Sequence, residues 1–101
     1  MNYNYKLKFL PLASDDTNQI KRRLLQFYPG TVGKFMDELK KQVKLVKKSP
    51  YMFVAYERNP KYRKMIVLDY IAFYTVEDDK KLIQVYRILY GMRDFETIEF
   101  E

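Results

Sequence analysis

Cysteine and histidine are both missing from this chain of 101 residues. Without cysteine there is neither a disulfide nor a thiolate metal site. Without histidine the commonest general base is gone, and with it the Ser-His and Cys-His nucleophile pairs. Any catalysis would rest on Arg, Lys, Tyr, Asp or Glu, and no cofactor or metal is expected. Long apolar runs are lacking too. Met1-Asn2-Tyr3-Asn4-Tyr5-Lys6 is followed only by Phe9-Leu10-Pro11-Leu12-Ala13, which does not read as a signal peptide. No segment is long enough to span a bilayer, so a cytoplasmic protein without membrane contact is the expectation. Linkers, repeats and low-complexity runs are absent, and the length fits one domain over residues 1–101 with a modest core.

Charge is plentiful and unevenly spread. The formal net charge is +6, with residues 1–69 holding 15 Lys and Arg against 6 Asp and Glu, and residues 70–101 holding 4 against 7. A basic body of this kind is drawn to RNA, DNA or an acidic protein by its long-range field. A solvated charged surface accounts for the same numbers.

The hydrophobic pattern divides the chain into elements. Tyr5, Leu7 and Phe9 alternate with Lys6 and Lys8, as in a first strand over residues 3–10 that Pro11 closes. Ser14-Asp15-Asp16 offers an N-cap and first-turn carboxylates. Ile20, Leu24, Phe27 and Tyr28 follow at helical spacing until Pro29-Gly30 breaks the helix and Thr31 caps the next. Val32, Phe35, Met36, Leu39, Val43 and Val46 form the clearest stripe, about four turns long. The lysines between them, crowded toward Lys47 and Lys48, suit the helix dipole or a nucleic-acid footprint. Ser49-Pro50 ends that helix. Met52-Phe53-Val54-Ala55-Tyr56 has strand composition, and Asn59-Pro60 marks a turn. Tyr62 to Leu68, Tyr70 to Val76 and Leu82 to Tyr90 then read as three strands with short, antiparallel connections. The expected architecture is α+β, a helical hairpin packed on one face of a mainly antiparallel sheet of four to five strands.

The last third carries the most distinctive residues. A strand ending in Arg87-Ile88-Leu89-Tyr90-Gly91-Met92-Arg93-Asp94 sets cations and a phenol at a sheet terminus, where a phosphate or a carboxylate could be met. Taken with the first strand, the helix pair with its basic second member, the Pro at its end and Tyr70-Ile71-Ala72-Phe73-Tyr74, the chain resembles the RelE/ParE superfamily of bacterial toxins, to which plasmid stabilisation proteins belong. The resemblance covers nearly the whole chain. It implies a growth-inhibiting toxin of a type II toxin–antitoxin module, neutralised by a cognate antitoxin in a heteromeric complex. RelE-like members cut messenger RNA on the ribosome, whereas ParE-like members poison DNA gyrase, and a shared fold does not choose between them.

A ribonuclease must activate a ribose 2′-hydroxyl and stabilise charge on the phosphate oxygens. By resemblance, Arg63, Arg87, Tyr90 and Arg93 are the catalytic candidates for that case, and Lys61, Arg63, Lys64 and Arg93 the candidates for contact with RNA or another target. Ribonuclease members usually have Arg directly after the Tyr of the third strand. Here that place holds Ile71, which cannot stabilise phosphoryl charge. The ending Arg87-Ile88-Leu89-Tyr90-Gly91-Met92-Arg93-Asp94 is closer to the ParE pattern, with Tyr90 for a His and Met92 for a basic residue. The expectation is a ParE-like gyrase poison; the alternatives are a ribosome-dependent, metal-independent endoribonuclease and a degenerate member that only binds its antitoxin.

Plainer roles stand beside these. Arg87 suits a structural pair with Asp69, Glu96 or Glu99. Arg63 and Lys64 point to opposite faces of a regular strand. Tyr62, Tyr70, Phe73, Tyr74 and Tyr86 suit packing as well as base stacking. Arg93, beyond Gly91, is the residue least explained by packing. The acidic end, Asp94 to Glu101, reads as an edge strand or a loose tail, and as a place for the antitoxin to bind.

Overall fold

The computed structural model describes residues 4–91. Arg93 and the acidic end at 94–101 lie outside the described residues. The elements are β1 (Lys6–Phe9), α1 (Pro11–Phe27), α2 (Val32–Lys48), β2 (Arg63–Val67), β3 (Tyr70–Glu77) and β4 (Leu82–Tyr90), with short 3₁₀ turns at Pro29–Thr31 and Asp78–Lys80. The four strands lie in the order β1-β4-β3-β2. Pairs β2–β3 and β3–β4 are antiparallel, as their short connections require. β1 pairs with β4 in parallel, which is possible because the helical hairpin and two strands intervene before the chain returns. The fold is therefore α+β with a mixed, mainly antiparallel sheet of four strands.

Two local expectations change. Pro11 does not close β1; it occupies the first turn of α1, behind Leu10 as N-cap, so Ser14, Asp15 and Asp16 lie inside the helix. Proline at this position loses an N–H that has no partner in any case, and its fixed φ suits the helix. Met52 to Tyr56 does not make a strand, and only Ala55 forms an isolated bridge, to Arg63. This segment lies against the outer edge of β2, where Val54 O accepts from Lys64 N at 3.1 Å and Tyr62 O accepts from Tyr56 N at 2.8 Å. Its backbone serves as an edge cover, which answers the exposed-edge problem without a further strand there among the described residues.

The main core lies between the helices and one face of the sheet. Ala13, Ile20, Phe35, Leu39 and Val46 from the helices meet Met65, Val67, Ala72, Tyr74, Ile83, Val85 and Ile88 from the strands. The stripe expected on α2 is the stripe that is buried, at Phe35, Leu39 and Val46. A second cluster, Tyr56, Tyr62, Phe73, Tyr86 and Leu89, covers the other sheet face together with Leu10 and Ile71. Four aromatics expected to pack, Tyr62, Phe73, Tyr74 and Tyr86, are buried. The β3–β4 register slips at Phe73/Tyr74, which face Arg87 and Val85, so Tyr86 is the extra residue of a bulge. The bulge lets Val85 and Ile88, three positions apart, enter the same cluster, and Tyr86 and Leu89 likewise.

Candidate functional site

The end of β4 is the candidate site, and Asp16 shapes it. β1 stops pairing at Phe9 opposite Val85, and Leu10 N–H makes the last contact there, to Val85 O at 2.9 Å. Beyond that point the edge of β4 would present bare backbone groups, and α1 runs across it instead. Asp16, 10 % exposed at its side chain, accepts from Ile88 N–H at 3.0 Å and from Arg87 Nε and Nη2 at 2.7 and 3.0 Å. The fork-on-carboxylate pair is the strong form of this contact. Its hydrogen bonding to Asp16 raises the guanidinium pKa against the opposing effect of burial. Arg87 thus has a charge partner, as its plain reading held, but the partner is Asp16 rather than Asp69.

Next to the clamp lies a cleft of about 360 Å³ lined by Asp16, Ile20, Arg23, Tyr70, Leu89 and Tyr90. Tyr70 is wedged edge-on between Phe35, 5.3 Å away, and Tyr90, 5.9 Å away. Burial raises the Tyr70 phenol, while the Arg23 cation works in the other direction. Tyr90 remains 47 % exposed. Gly91 then donates its N–H to Asp69 O at 2.7 Å, and a Cβ there would sit 3.0 Å from the same oxygen. The strand end approaches the β2–β3 turn so closely that a side chain at this position would have to push the Asp69 carbonyl back by a few tenths of an ångström, which is the physical content of the Tyr-Gly pair.

The other candidate residues are elsewhere. Arg63 stacks on Tyr51 with 4.7 Å between its Cζ and the ring centre, and its Nη1 donates to Phe53 O at 2.7 Å. Lys64 turns to Glu57, 3.4 Å from its carboxylate, and over the Tyr56 ring. Lys61 lies 5.6 Å from the centre of Tyr62. In register Arg63 is opposite Tyr74 and Arg87 is opposite Phe73, two neighbours of β3 that belong to clusters on different faces. The sheet therefore brings Arg87 and Tyr90 to one end and leaves Arg63, Lys61 and Lys64 apart from them; Arg93 lies outside the described residues. Ile71 stands between Ile66 of β2 and Leu89 of β4, the middle of an apolar row across three strands.

Sequence reasoning missed Asp16 as a site residue, because its setting Ser14-Asp15-Asp16 reads as helix-start chemistry. It also missed a second polar cluster. Asp78 accepts from Tyr5 OH at 2.6 Å and from Tyr51 OH, which joins the start of β1, the loop after α2 and the β3–β4 turn. These two phenols hold the Asp78 carboxyl below its usual value, and the hydrogen bond to Asp78 pushes Tyr5 up to about 12. Among the described residues no group of three or more acidic side chains is placed to hold a metal ion, and no helix is long and apolar enough to cross a membrane.

The fold has solved counterparts. A chain of the chromosomal ParDE toxin–antitoxin system of P. aeruginosa superposes with a TM-score of 0.71 at 20 % identity, covering 88 % of this chain and 98 % of that one. A chain of the RelBE2 toxin–antitoxin complex of Mycobacterium tuberculosis superposes with a TM-score of 0.59 at 12 % identity, covering 86 % and 98 %. Among curated proteins no sequence matches. The family described as ParE toxin of type II toxin–antitoxin system, parDE, matches residues 7–95, from the first strand to beyond the Arg87–Asp94 ending. The chain belongs to the ParE toxin family of type II toxin–antitoxin systems.

Proposed function

We propose that this toxin is held inactive by a cognate antitoxin and, when released, arrests bacterial growth by poisoning DNA gyrase in the cytoplasm rather than by cutting messenger RNA. The observation that carries the choice of target is the Ile66–Ile71–Leu89 row. Where a ribonuclease needs a cation beside the scissile phosphate, this sheet has half-buried Ile71 between exposed Ile66 and buried Leu89, apolar surroundings that disfavour a desolvated phosphate. The engagement of the arginines points the same way. Arg87 has two of its three nitrogens on Asp16, and Arg63 is spent on Tyr51 and Phe53 O. Neither is poised for an oxyanion, and the pairing register keeps them apart. The antitoxin is supported by the family itself and by two structural relatives whose solved forms are toxin–antitoxin systems.

The ribonuclease reading retains one favourable feature, the half-exposed Tyr90 beside Arg23 at the cleft, since a phenol can donate a proton. Primer extension on messages in a reconstituted translation reaction decides between the two. Messages that stay intact at protein concentrations that stop growth are the expected result. New 5′ ends at A-site codons would overturn the gyrase assignment.

A further inference from the structure

The end of α1 does not follow the hydrophobic pattern that predicts it. Ile20 is buried and Leu24 half-buried, as a helical stripe requires, but Leu25, Phe27 and Tyr28 are 64 %, 61 % and 64 % exposed. α1 ends at Phe27 before its stripe can turn toward the sheet, so the last two residues of the stripe project from the tip of the helical hairpin. Single exposed apolar residues are common, whereas three large ones within four positions are not.

The tip is rigid. Tyr28 N–H donates to Leu24 O at 2.6 Å, and Tyr28 O accepts from both Thr31 N–H at 2.9 Å and Thr31 Oγ1 at 2.7 Å. Pro29 and a 3₁₀ turn follow at once. Rings carried on a fixed backbone lose little freedom on docking, which is the property of a binding anchor. Leu25 lines an apolar recess of about 420 Å³ together with Asn18, Lys21, Arg22 and Val32. The two charged side chains that line it, Lys21 and Arg22, are both basic, and from Thr17 to Met36 the chain has Lys21, Arg22, Arg23 and Lys34 and no Asp or Glu. Aromatic anchors with arginine beside them are the composition of interface hot spots.

We propose that the hairpin tip is the surface through which the toxin grips its protein target, with Phe27 and Tyr28 entering an apolar recess on the partner and Lys21 and Arg22 meeting an acidic rim. The inference rests on the reading that the toxin acts by binding a protein. Aliphatic Leu25 and the recess it forms with Val32 have no counterpart in a nucleic-acid backbone, so a folded acidic protein fits better than RNA. Complementary charge around an apolar anchor adds speed and selectivity to such a contact.

Two full-length variants test it, Phe27→Ala/Tyr28→Ala and Lys21→Glu/Arg22→Glu, each shown by its melting curve to be folded. Binding to purified gyrase and to a short single-stranded RNA is measured for both and for the unaltered protein, with growth arrest in cells as the second readout. The expected result is gyrase affinity at least tenfold weaker in both variants. Gyrase affinity within twofold of the unaltered protein would overturn the tip proposal and leave the gyrase reading standing. Loss of RNA binding alone would overturn it as well, by making the tip a nucleic-acid surface. If the unaltered protein does not bind gyrase, the gyrase reading fails and growth arrest decides. Arrest abolished in both variants with RNA binding unchanged would keep the tip as the docking surface for another acidic protein; arrest retained, or lost together with RNA binding, would overturn it.

Discussion

Replacing Asp16 by alanine is expected to destabilise the protein by about 3 kcal/mol, the scale on which an unpaired, partly buried charge is felt once its partner is removed. The change leaves the Arg87 guanidinium without its carboxylate and Ile88 N–H without its acceptor. Urea unfolding measures the loss, and the double change Asp16→Leu/Arg87→Met should cost less than Asp16→Ala alone, because an apolar pair leaves no charge behind. A loss below about 0.5 kcal/mol for Asp16→Ala would make the clamp an ordinary surface pair. Nothing in the sequence announces this pair. Asp16 and Arg87 are 71 positions apart, and three polar residues after a proline have a sufficient local explanation as a helix start. Gly91 was legible only as a family motif residue; its physical reason, the Asp69 carbonyl 3.0 Å from where a Cβ would stand, needs the turn between β2 and β3 in place.

Among the described residues, elements are joined by phenols more than by ion pairs. Tyr5 before β1 and Tyr51 after α2 both donate to Asp78 in the β3–β4 turn, and Tyr74 OH donates to Pro50 O at 2.7 Å, fastening β3 to the end of α2. Burial pushes Tyr74 up to about 12, and the bond to Asp78 does the same for Tyr5. Folding raises these values, so the folded state keeps protons that the unfolded chain gives up near its ordinary value of 10.0. Their contribution is therefore complete below that pH and declines as pH rises toward about 12. The carboxylate side has the opposite sign: Asp78 is held low, so its contribution is present above 3.8 and fades as acid takes the pH through its lowered value. Ultraviolet titration of the folded protein should show a late class of tyrosines that disappears in urea, and Tyr5→Phe/Tyr74→Phe should remove part of it. A single titration step at the ordinary value would contradict the account.

Helix α2 and strand β4 were readable because a stripe or an alternation is a local signal that the core merely confirms. Met52 to Tyr56 was misread for the converse reason. Residues that cover an edge are as apolar as residues that form one, and only the partner strand separates the cases.

At the scale of the molecule, one topological fact organises the rest. Because β4 returns beside β1 in parallel and β1 stops at Phe9, the far end of β4 has no strand neighbour on that side among the described residues and is closed by α1 instead. The clamp, the Tyr70–Tyr90 contact and the cleft with Arg23 all follow from that closure. The same arrangement spreads the cations, placing Arg63 and Arg87 opposite β3 residues from different clusters and Ile71 in the apolar row between β2 and β4. The sequence could place Arg87 and Tyr90 on the last strand, but not Asp16 beside them, since that contact depends on where a helix crosses a sheet edge. The measurement that tests the central claim most directly is gyrase supercoiling of relaxed plasmid DNA in the presence of ATP, with the purified protein added alone and after its antitoxin. Loss of supercoiling with accumulation of broken DNA, prevented by the antitoxin, is the predicted result. Full supercoiling at concentrations that arrest growth would contradict it.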